Sequence, residues 1–312
     1  MKSFAFVFPG QGSQSVGMLE GWGDHPAVIS VVQESSEALG EDVGKLIKEG
    51  PKEALALTTN TQPVMLIAGV AAYRAWLAEG GAAPAVMAGH SLGEYSALVA
   101  SGVISLKDAV QTVRLRAAAM QEAVPVGTGA MAAVLGMSAA DVIAGCLEAA
   151  VASGEVVEAV NFNDPAQTVI AGTKAGIEKA SEVLKAKGAK RCLPLPVSAP
   201  FHSSLMKPAA VKLREKLATI TFNAPQIPVV NNIDVSLETD AIKIKDALYR
   251  QAFGPVRWVE CIASIKARGV NTVIECGPGK VLSGMCKRID AEITSGAVFD
   301  PASLAEAKAL IA

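Results

Sequence analysis

The alternation of short apolar runs with longer segments of helical periodicity is the feature that most limits how this chain can fold. A strand is predicted at 4–8, which reads Phe-Ala-Phe-Val-Phe, and another at 85–88. Elsewhere apolar residues recur every three or four positions, as at Leu106, Val110 and Val113. Strands that alternate with helices in this way predict an α/β fold with a mostly parallel sheet.

The pattern changes between residues 126 and 198, where the predicted elements follow in the order strand, helix, strand, strand, helix, strand. This order is typical of ferredoxin-like domains. We therefore predict a small ferredoxin-like domain at 126–198. It would be inserted in a large, α/β-hydrolase-like catalytic domain made of residues 1–125 and 199–312.

Composition argues against several classes of protein. The net charge is −2 at pH 7, so no overall positive field would draw the chain to nucleic acid. The longest uncharged stretches contain proline and polar residues, and none is expected to span a membrane. The first apolar run is too short for a signal peptide, so we expect a cytoplasmic protein. The five cysteines form no Cys-x-x-Cys pair and are expected to be reduced.

Ser91 lies in the run Gly-His-Ser-Leu-Gly at 89–93, after a predicted strand and before a predicted helix. Glycines at this spacing permit the sharp turn of a nucleophile elbow, which projects the serine oxygen beyond the sheet, near the helix N-terminus. The alternative is an ordinary loop rich in glycine and serine. The flanking elements favour a covalent nucleophile that accepts an acyl group.

A serine hydroxyl needs a base, and the chain contains three histidines. His25 lies in a Gly-Asp-His-Pro turn and is expected to be solvated, whereas His90 should point away from Ser91 and act structurally. His202 remains as the candidate base. Plain α/β-hydrolases carry their histidine late in the chain, after the acidic residue, and no histidine follows His202 here. The group that orients the imidazole ring therefore need not be an aspartate.

A glycine loop at 9–13, Pro-Gly-Gln-Gly-Ser, follows the first predicted strand. It does not fit a dinucleotide-binding loop, because Ser15 stands where the third glycine would be needed, and no Gly-Lys-Ser/Thr follows as in a P-loop. A structural turn is one interpretation. We favour an oxyanion hole formed by backbone N–H groups of this loop and of Leu92.

Several further motifs are spread over nearly the whole chain. Together with the two glycine motifs, they are Thr61-Gln62-Pro63, the Glu94 that follows the elbow, the helix ending Met120-Gln121-Glu122, Asn161-Phe162-Asn163, Pro200-Phe201-His202-Ser203, Asn231-Asn232 and Gly277-Pro278-Gly279. In combination they resemble the acyltransferase superfamily. Within it, the chain is most similar to the malonyl-CoA:acyl carrier protein transacylases of bacterial fatty-acid synthesis.

The resemblance implies roles for individual residues. Ser91 would be acylated, and His202 would act as general base and acid. The backbone carbonyl of Gln251 would orient the imidazole ring. The backbone N–H groups of Gln11 and Leu92 would form the oxyanion hole.

The resemblance also selects Arg116. Helical periodicity alone does not separate Arg114 from Arg116, because both flank the apolar stripe and a solvated face is the ordinary interpretation of each. By alignment, Arg116 matches the arginine that holds the malonyl carboxylate as a two-point fork, a geometry that lysine cannot copy. In related acyltransferases, a leucine after the serine and a phenylalanine before the histidine go with malonyl rather than methylmalonyl use, so the resemblance implies that Leu92 and Phe201 favour malonyl.

The resemblance implies that a malonyl group moves from malonyl-CoA to the pantetheine thiol of an acyl carrier protein. The mechanism would be ping-pong through malonyl-Ser91, with no metal or other cofactor. Two alternatives stay open: a serine thioesterase or other hydrolase, and the same transfer in a polyketide or malonate-decarboxylation system. A non-catalytic carrier-binding protein is disfavoured because nucleophile and base are both present.

Carrier proteins of this pathway are acidic, so a partner surface should be locally basic. Lys185, Lys187, Lys190 and Arg191 lie close together in the sequence, and we call them the basic cluster. They form either a docking surface or the solvated end of a basic helix.

Overall fold

The computed structural model describes residues 2–197 and 199–312, in which the strands form two sheets. The strands in chain order are β1 (Phe4–Phe8), β2 (Val86–Gly89), β3 (Gly129–Leu135), β4 (Val157–Asp164), β5 (Gln167–Thr173), β6 (Arg191–Pro194), β7 (Val229–Val230), β8 (Thr272–Cys276) and β9 (Thr294–Val298). The helices in chain order are α1 (Pro26–Leu39), α2 (Val43–Glu49), α3 (Lys52–Ala56), α4 (Thr58–Ala78), α5 (Gly93–Ala100), α6 (Leu106–Glu122), α7 (Ala139–Ser153), α8 (Lys174–Ala186), α9 (Lys207–Ala218), α10 (Ala241–Gln251), α11 (Trp258–Ala267), α12 (Val281–Ile289) and α13 (Pro301–Ile311).

The large sheet is parallel throughout and has the strand order β7-β2-β1-β8-β9. Its central strand β1 is buried at every position because helices cover both faces. Phe4, Phe6 and Phe8 enter the hydrophobic cluster on one face, and Ala5 and Val7 enter the cluster on the other. This alternation follows from the two-residue period of a strand.

The small sheet is antiparallel and has the order β4-β5-β3-β6, which is the ferredoxin-like arrangement for this order of elements. Helices α7 and α8 pack on one of its faces. The predicted fold class, a parallel α/β sheet with an added ferredoxin-like unit, is confirmed. The predicted domain limits stay a prediction, and Met1 and Ser198, which stand at two of those limits, lie outside the described residues.

The small sheet is held against the large sheet through β4. The backbone N–H of Phe162 donates to the carbonyl of Val256 at 2.9 Å, and the N–H of Val256 donates to the carbonyl of Val160 at 2.8 Å. Arg288 and Asp164 form an ion pair at 2.7 Å across the same junction. The junction places β3 and β4 beside the carboxyl end of β2, where Ser91 lies.

His25 differs from its predicted role as a solvated turn residue. Its Nδ1 atom accepts a hydrogen bond from the backbone N–H of Ala27 at 3.2 Å and so caps the N-terminus of α1. Its Nε2 atom lies 3.3 Å from a carboxylate oxygen of Glu79. A histidine nitrogen can replace the usual serine or aspartate oxygen at this position because its lone pair also accepts an N–H.

Two further observations concern the chain as a whole. Within residues 2–197 and 199–312, none of the helices combines the length and apolar character that crossing a bilayer requires. The five cysteines are free thiols, as the sequence predicts.

Candidate active site

Ser91 lies on a tight turn between β2 and α5, with its backbone in the left-handed region at φ +52°. A β-carbon on Gly89 would lie 1.9 Å from the carbonyl carbon of Gly93, and one on Gly93 would lie 2.0 Å from the carbonyl oxygen of Phe8. Only glycine fits at these two positions. The turn therefore has the geometry of a nucleophile elbow, as predicted from the spacing of the glycines.

Ser91 and His202 are joined by a hydrogen bond of 2.6 Å between Oγ and Nε2. The other ring nitrogen of His202, Nδ1, lies 2.8 Å from the backbone carbonyl oxygen of Gln251. A carbonyl oxygen only accepts, so Nδ1 carries the proton and donates to it, which leaves Nε2 to accept from the serine hydroxyl. The geometry resembles a catalytic triad in which a peptide carbonyl replaces the carboxylate.

His202 is 3% exposed, and its backbone is also left-handed, at φ +66°. Burial lowers the pKa of His202 to about 3, and the nearby charge of Arg116 acts in the same direction. The ring is therefore neutral near pH 7, the state in which Nε2 can accept a proton. Ser91 and His202, which face each other, are thus both non-glycine residues in the left-handed backbone region. This region is sparsely populated, and residues that adopt it are concentrated at functional sites.

Arg116, on α6, is 2% exposed and reaches the nucleophile. Its Nη1 atom donates to Gln62 Oε1 at 2.6 Å, while Nη2 donates to Gln251 Oε1 at 3.1 Å and to Ser91 Oγ at 3.3 Å. Its Nε atom has no hydrogen-bond partner among the described residues. The guanidinium is thus held by uncharged oxygens, and one buried donor is left for a further acceptor.

Asn232 braces the elbow from the end of β7. Its Oδ1 accepts from the backbone N–H of Ser91 at 2.7 Å, and its Nδ2 donates to the carbonyl of Gly89 at 2.7 Å. The backbone N–H of Asn232 donates to Glu94 Oε2 at 2.9 Å. Burial raises the pKa of Glu94 to about 7, although hydrogen bonds from Asn232 and Gln251 act in the opposite direction.

A cavity of about 120 Å³ opens beside Ser91. It is lined by two strand residues of the small sheet, Met131 and Asn161, and by residues of helices and loops: Gln11, Gln62, His90, Ser91, Leu92, Arg116, Leu195, Val197, Phe201 and His202. The predicted oxyanion-hole residues Gln11 and Leu92 thus share the cavity with Ser91. The side chain of Gln11 is held by Thr58, whose hydroxyl donates to Gln11 Oε1 at 2.7 Å.

His90 follows its predicted structural role. Its Nε2 atom is hydrogen-bonded to Asn163 Oδ1 at 2.8 Å, and its ring packs edge-on against Trp258. The hydrogen bond to Asn163 connects the elbow to β4 of the small sheet.

The structure therefore brings Ser91, His202, Gln251 and Arg116 into one hydrogen-bonded group. From the sequence we expected no particular role for Gln62, Glu94 or Asn232, although all three stand in the motifs that carry the family resemblance. Their signal was their position in those motifs. The hydrogen bonds that place them in the site join them to residues 54 to 157 positions away in the chain.

Comparison with known proteins agrees with this site. The family described as "Acyl transferase domain" matches residues 5–295. The malonyl CoA-acyl carrier protein transacylase of Escherichia coli K12 is 54% identical over 308 residues, which are 98% of this chain and 99% of that protein.

Two solved structures are similar over their whole length. The acyl-carrier-protein S-malonyltransferase of Burkholderia pseudomallei 1710b has a TM-score of 0.97 at 64% identity, covering 99% of this chain and 100% of that one. A malonyl-transacylase solved in complex with its type II polyketide acyl carrier protein has a TM-score of 0.97 at 50% identity, covering 99% and 100%. The chain belongs to the malonyl CoA-acyl carrier protein transacylase family, within the larger family of acyl transferase domains.

Proposed function

We propose that this protein transfers a malonyl group from malonyl-CoA to the pantetheine thiol of an acyl carrier protein, in fatty-acid synthesis. The observation that carries the proposal is the placement of a buried guanidinium, Arg116 Nη2, 3.3 Å from the hydroxyl of a serine that is itself paired with a neutral histidine. A nucleophile and a carboxylate-binding group in one small cavity suit an acyl group that carries a carboxylate.

The first half-reaction forms a malonyl ester on Ser91. Oγ attacks the thioester carbon while its proton passes to Nε2 of His202, and the backbone N–H groups of Gln11 and Leu92 stabilise the oxyanion. The C–S bond then breaks, and His202 returns the proton to the departing CoA sulfur. Throughout, the Gln251 carbonyl keeps the ring in the tautomer that this transfer needs.

The second half-reaction reverses the first with a different thiol. The pantetheine thiol of the carrier protein gives its proton to His202 and attacks the ester carbon, and the proton then returns to Ser91 Oγ as the C–O bond breaks. Acyl exchange between thiols changes no oxidation state, so the proposed reaction uses no redox cofactor and needs no metal.

Arg116 would bind the distal carboxylate of the malonyl group. Its Nε donor has no partner in the described residues, and Nη2 could exchange its contact with Ser91 Oγ for a carboxylate oxygen once that hydroxyl is acylated. Two parallel N–H···O bonds to one carboxylate are the usual geometry of such pairs. Acetyl groups, which lack the second carboxylate, would gain nothing from Arg116.

A second candidate function is the same transfer to a polyketide carrier protein. It is favoured by one observation: a structure 50% identical to this chain was solved with a type II polyketide acyl carrier protein. Hydrolysis is disfavoured as an alternative. A general esterase would have no use for a buried arginine such as Arg116, whose hydrogen-bond partners are all uncharged. Malonate decarboxylation has no specific observation in its favour.

The proposal is tested by incubating the protein with malonyl-CoA alone and measuring its intact mass. We expect a malonyl adduct that maps to Ser91 and is absent from Ser91→Ala. Adding a pantetheinylated carrier protein should then move the adduct to the carrier, with little free malonate. Rapid release of malonate without transfer would instead identify a hydrolase, and carriers from the two pathways compared side by side would separate fatty-acid from polyketide use.

A further inference from the structure

The side-chain amide of Gln251 lies between the nucleophile and Arg116 and is held at both ends. Its Nε2 atom donates to the backbone carbonyl of Ser91 at 2.9 Å and to Glu94 Oε2 at 3.0 Å. Its Oε1 atom accepts from Arg116 Nη2 at 3.1 Å. The role given to Gln251 in the family resemblance concerns only its backbone carbonyl, so these side-chain contacts have a separate function.

Only one orientation of this amide satisfies all of its neighbours. The Ser91 carbonyl can only accept hydrogen bonds, Glu94 Oε2 accepts from the backbone N–H of Asn232 as well as from Gln251, and Arg116 can only donate. Rotating the amide by 180° would place Oε1 against two acceptors and the NH₂ group against a cation. Glu94 and the Ser91 carbonyl therefore together select the orientation in which the amide oxygen faces Arg116.

Burial makes this selection costly to override. Gln251 is 0% exposed, and Glu94 and Arg116 are each 2% exposed, so bulk water is not at hand to replace a lost partner. A buried polar group without a partner costs more than a typical hydrogen bond contributes. A fixed amide oxygen at Nη2, together with Gln62 Oε1 at Nη1, holds the plane of the guanidinium at two points.

We propose that Glu94 is a positioning residue for malonyl selectivity: through the Gln251 side chain, it holds the Arg116 guanidinium in place at the acyl cavity. The inference rests on the proposed function, since it assumes that Arg116 binds the malonyl carboxylate. Glu94 touches neither the substrate nor the reacting atoms. It has no direct hydrogen bond to Arg116 and reaches it through Gln251, and its other side-chain hydrogen bond is accepted from the backbone N–H of Asn232. Its effect should therefore depend on whether the acyl group carries a carboxylate.

The negative charge of Glu94 has an opposite effect that the test must separate. A carboxylate near Arg116 would repel an incoming malonyl carboxylate, so its removal by itself would favour malonyl binding. Glu94→Gln removes the charge but keeps an oxygen that can accept from Gln251. Glu94→Ala removes both the charge and the acceptor.

The experiment measures single-turnover acylation of Ser91 from malonyl-CoA and, separately, from acetyl-CoA by intact mass. For Glu94→Ala we expect the malonyl rate constant to fall at least about tenfold, the effect of losing a hydrogen bond to a charged group. The acetyl rate constant should change by less than about threefold. Glu94→Gln should lie between the wild type and Glu94→Ala in the ratio of malonyl to acetyl rates.

A matched control removes another buried carboxylate from outside the site. Glu275, at the end of β8, is 0% exposed and accepts from the backbone N–H of Ser283 at 2.9 Å. Glu275→Gln should lower thermal stability without changing the malonyl-to-acetyl ratio. Because Glu94→Ala could fail to fold, the ratio of malonyl to acetyl acylation rates in Glu94→Gln provides a second measurement of the same effect.

Three results would overturn the inference. They are an equal fall in both acylation rates, an unchanged ratio in both Glu94 variants, and a ratio in Glu94→Gln above that of the wild type, which would make charge repulsion the main effect. Failure of the proposed function gives a different result, because the wild type itself would then form no malonyl adduct or would release it as malonate.

Discussion

At the scale of single residues, Arg116 accounts for most of the chemical character of the cavity. It is a buried cation, and its hydrogen-bond acceptors are the amide oxygens of Gln62 and Gln251 and the hydroxyl of Ser91. Uncharged acceptors offset the desolvation of a guanidinium only in part. An acyl group that brings its own carboxylate would complete the set, so we expect the malonyl group to be favoured over neutral acyl groups.

Replacing Arg116 with alanine should remove this preference. We expect the malonyl acylation rate of Arg116→Ala to fall by about two to three orders of magnitude, as for loss of one partner from a buried ion pair. Acetyl acylation should fall far less. Arg116→Lys should recover only part of the malonyl rate, because an ammonium cannot form the two-point fork.

The measurement is a competition between malonyl-CoA and acetyl-CoA for one enzyme, read by the mass of the adduct. Arg114→Ala serves as the control, because Arg114 lies on the same helix and is paired with Glu41 at the surface. An unchanged preference for malonyl in Arg116→Ala would contradict the assigned role.

His202 should also affect how stability depends on pH. Its pKa is lowered to about 3 in the folded protein, against about 6.5 for an ordinary histidine. Between these values the unfolded chain binds a proton that the folded protein does not, so stability falls as pH falls, by at most about 1.4 kcal/mol per pH unit. Glu94 acts in the opposite direction: its raised pKa of about 7 stabilises the fold below about pH 4.5, and this contribution is lost as pH rises to 7.

The contribution of His202 can be isolated by comparing the wild type with His202→Asn, since asparagine tolerates the left-handed backbone found at this position. We expect the unfolding free energy of the wild type, relative to the variant, to fall by about 2 kcal/mol from pH 6.5 to pH 4.5. Urea unfolding at several pH values measures it. Parallel pH curves for the two proteins would show that His202 is not held neutral.

At the scale of elements, the N-terminus of α5 meets the end of β1 too closely for any side chain. Gly93→Ala would place a β-carbon 2.0 Å from the carbonyl oxygen of Phe8, so the elbow or β1 must shift. We expect a loss of about 3 kcal/mol or more in unfolding free energy, together with loss of Ser91 acylation.

Gly284, on α12, provides the matched control for that substitution. A β-carbon there would meet only the end of the flexible Arg288 side chain, at 3.4 Å. Gly284→Ala should therefore leave stability unchanged or raise it by up to about 1 kcal/mol, since alanine favours helix more than glycine does. Chemical denaturation of both variants makes the comparison, and similar losses in the two would contradict the steric argument.

Elements with strong local patterns could be predicted from the sequence, whereas those with weak patterns could not. The strand predicted at 4–8 is β1 to the residue, because an unbroken apolar run ends at Pro9-Gly10. The strand predicted at 85–88 is β2, shifted by one residue. Strand β9 was not predicted, because its Thr-Ser-Gly-Ala-Val sequence carries almost no apolar signal and is ordered by pairing with β8.

The site shows the same difference between features that depend on neighbouring residues and features that depend on contacts between distant parts of the chain. The turn containing Ser91 is a local motif, so its geometry followed from five residues. The pairing of Ser91 with His202 was expected by elimination among the three histidines, whereas the proximity of Gln251 and Arg116 was expected only through the family resemblance. The bracing of the elbow by Asn232 could not be predicted, because it depends on hydrogen bonds across more than 140 residues that no local pattern records.

At the scale of the whole molecule, the basic cluster lies along a route to the cavity. Arg191 begins β6, an edge strand of the small sheet, and the chain continues from β6 to Leu195 and Val197 in the cavity wall. The six residue steps from Arg191 to Val197 span at most about 20 Å of extended chain, so Arg191, at the end of the basic cluster, lies within that distance of the cavity lining. Lys187 is paired with Glu148 at 2.8 Å, which makes Lys185 and Arg191 the better candidates for contact with an acidic partner.

We expect the double charge reversal Lys185→Glu with Arg191→Glu to raise the apparent KM for the carrier protein by about threefold to tenfold, because rim charges mainly affect association. The KM for malonyl-CoA is the comparison: an equal rise in both KM values would assign the cluster to the phosphates of CoA rather than to the carrier protein. Arg268→Glu is the control. Arg268 is exposed and precedes β8, so it lies at the amino ends of the parallel strands, whereas Ser91 lies at their carboxyl ends. Steady-state kinetics with either substrate varied, repeated at low and high salt, measure both constants. An unchanged carrier KM in the double variant would assign the cluster to the solvated end of a basic helix and require the carrier to dock elsewhere around the cavity.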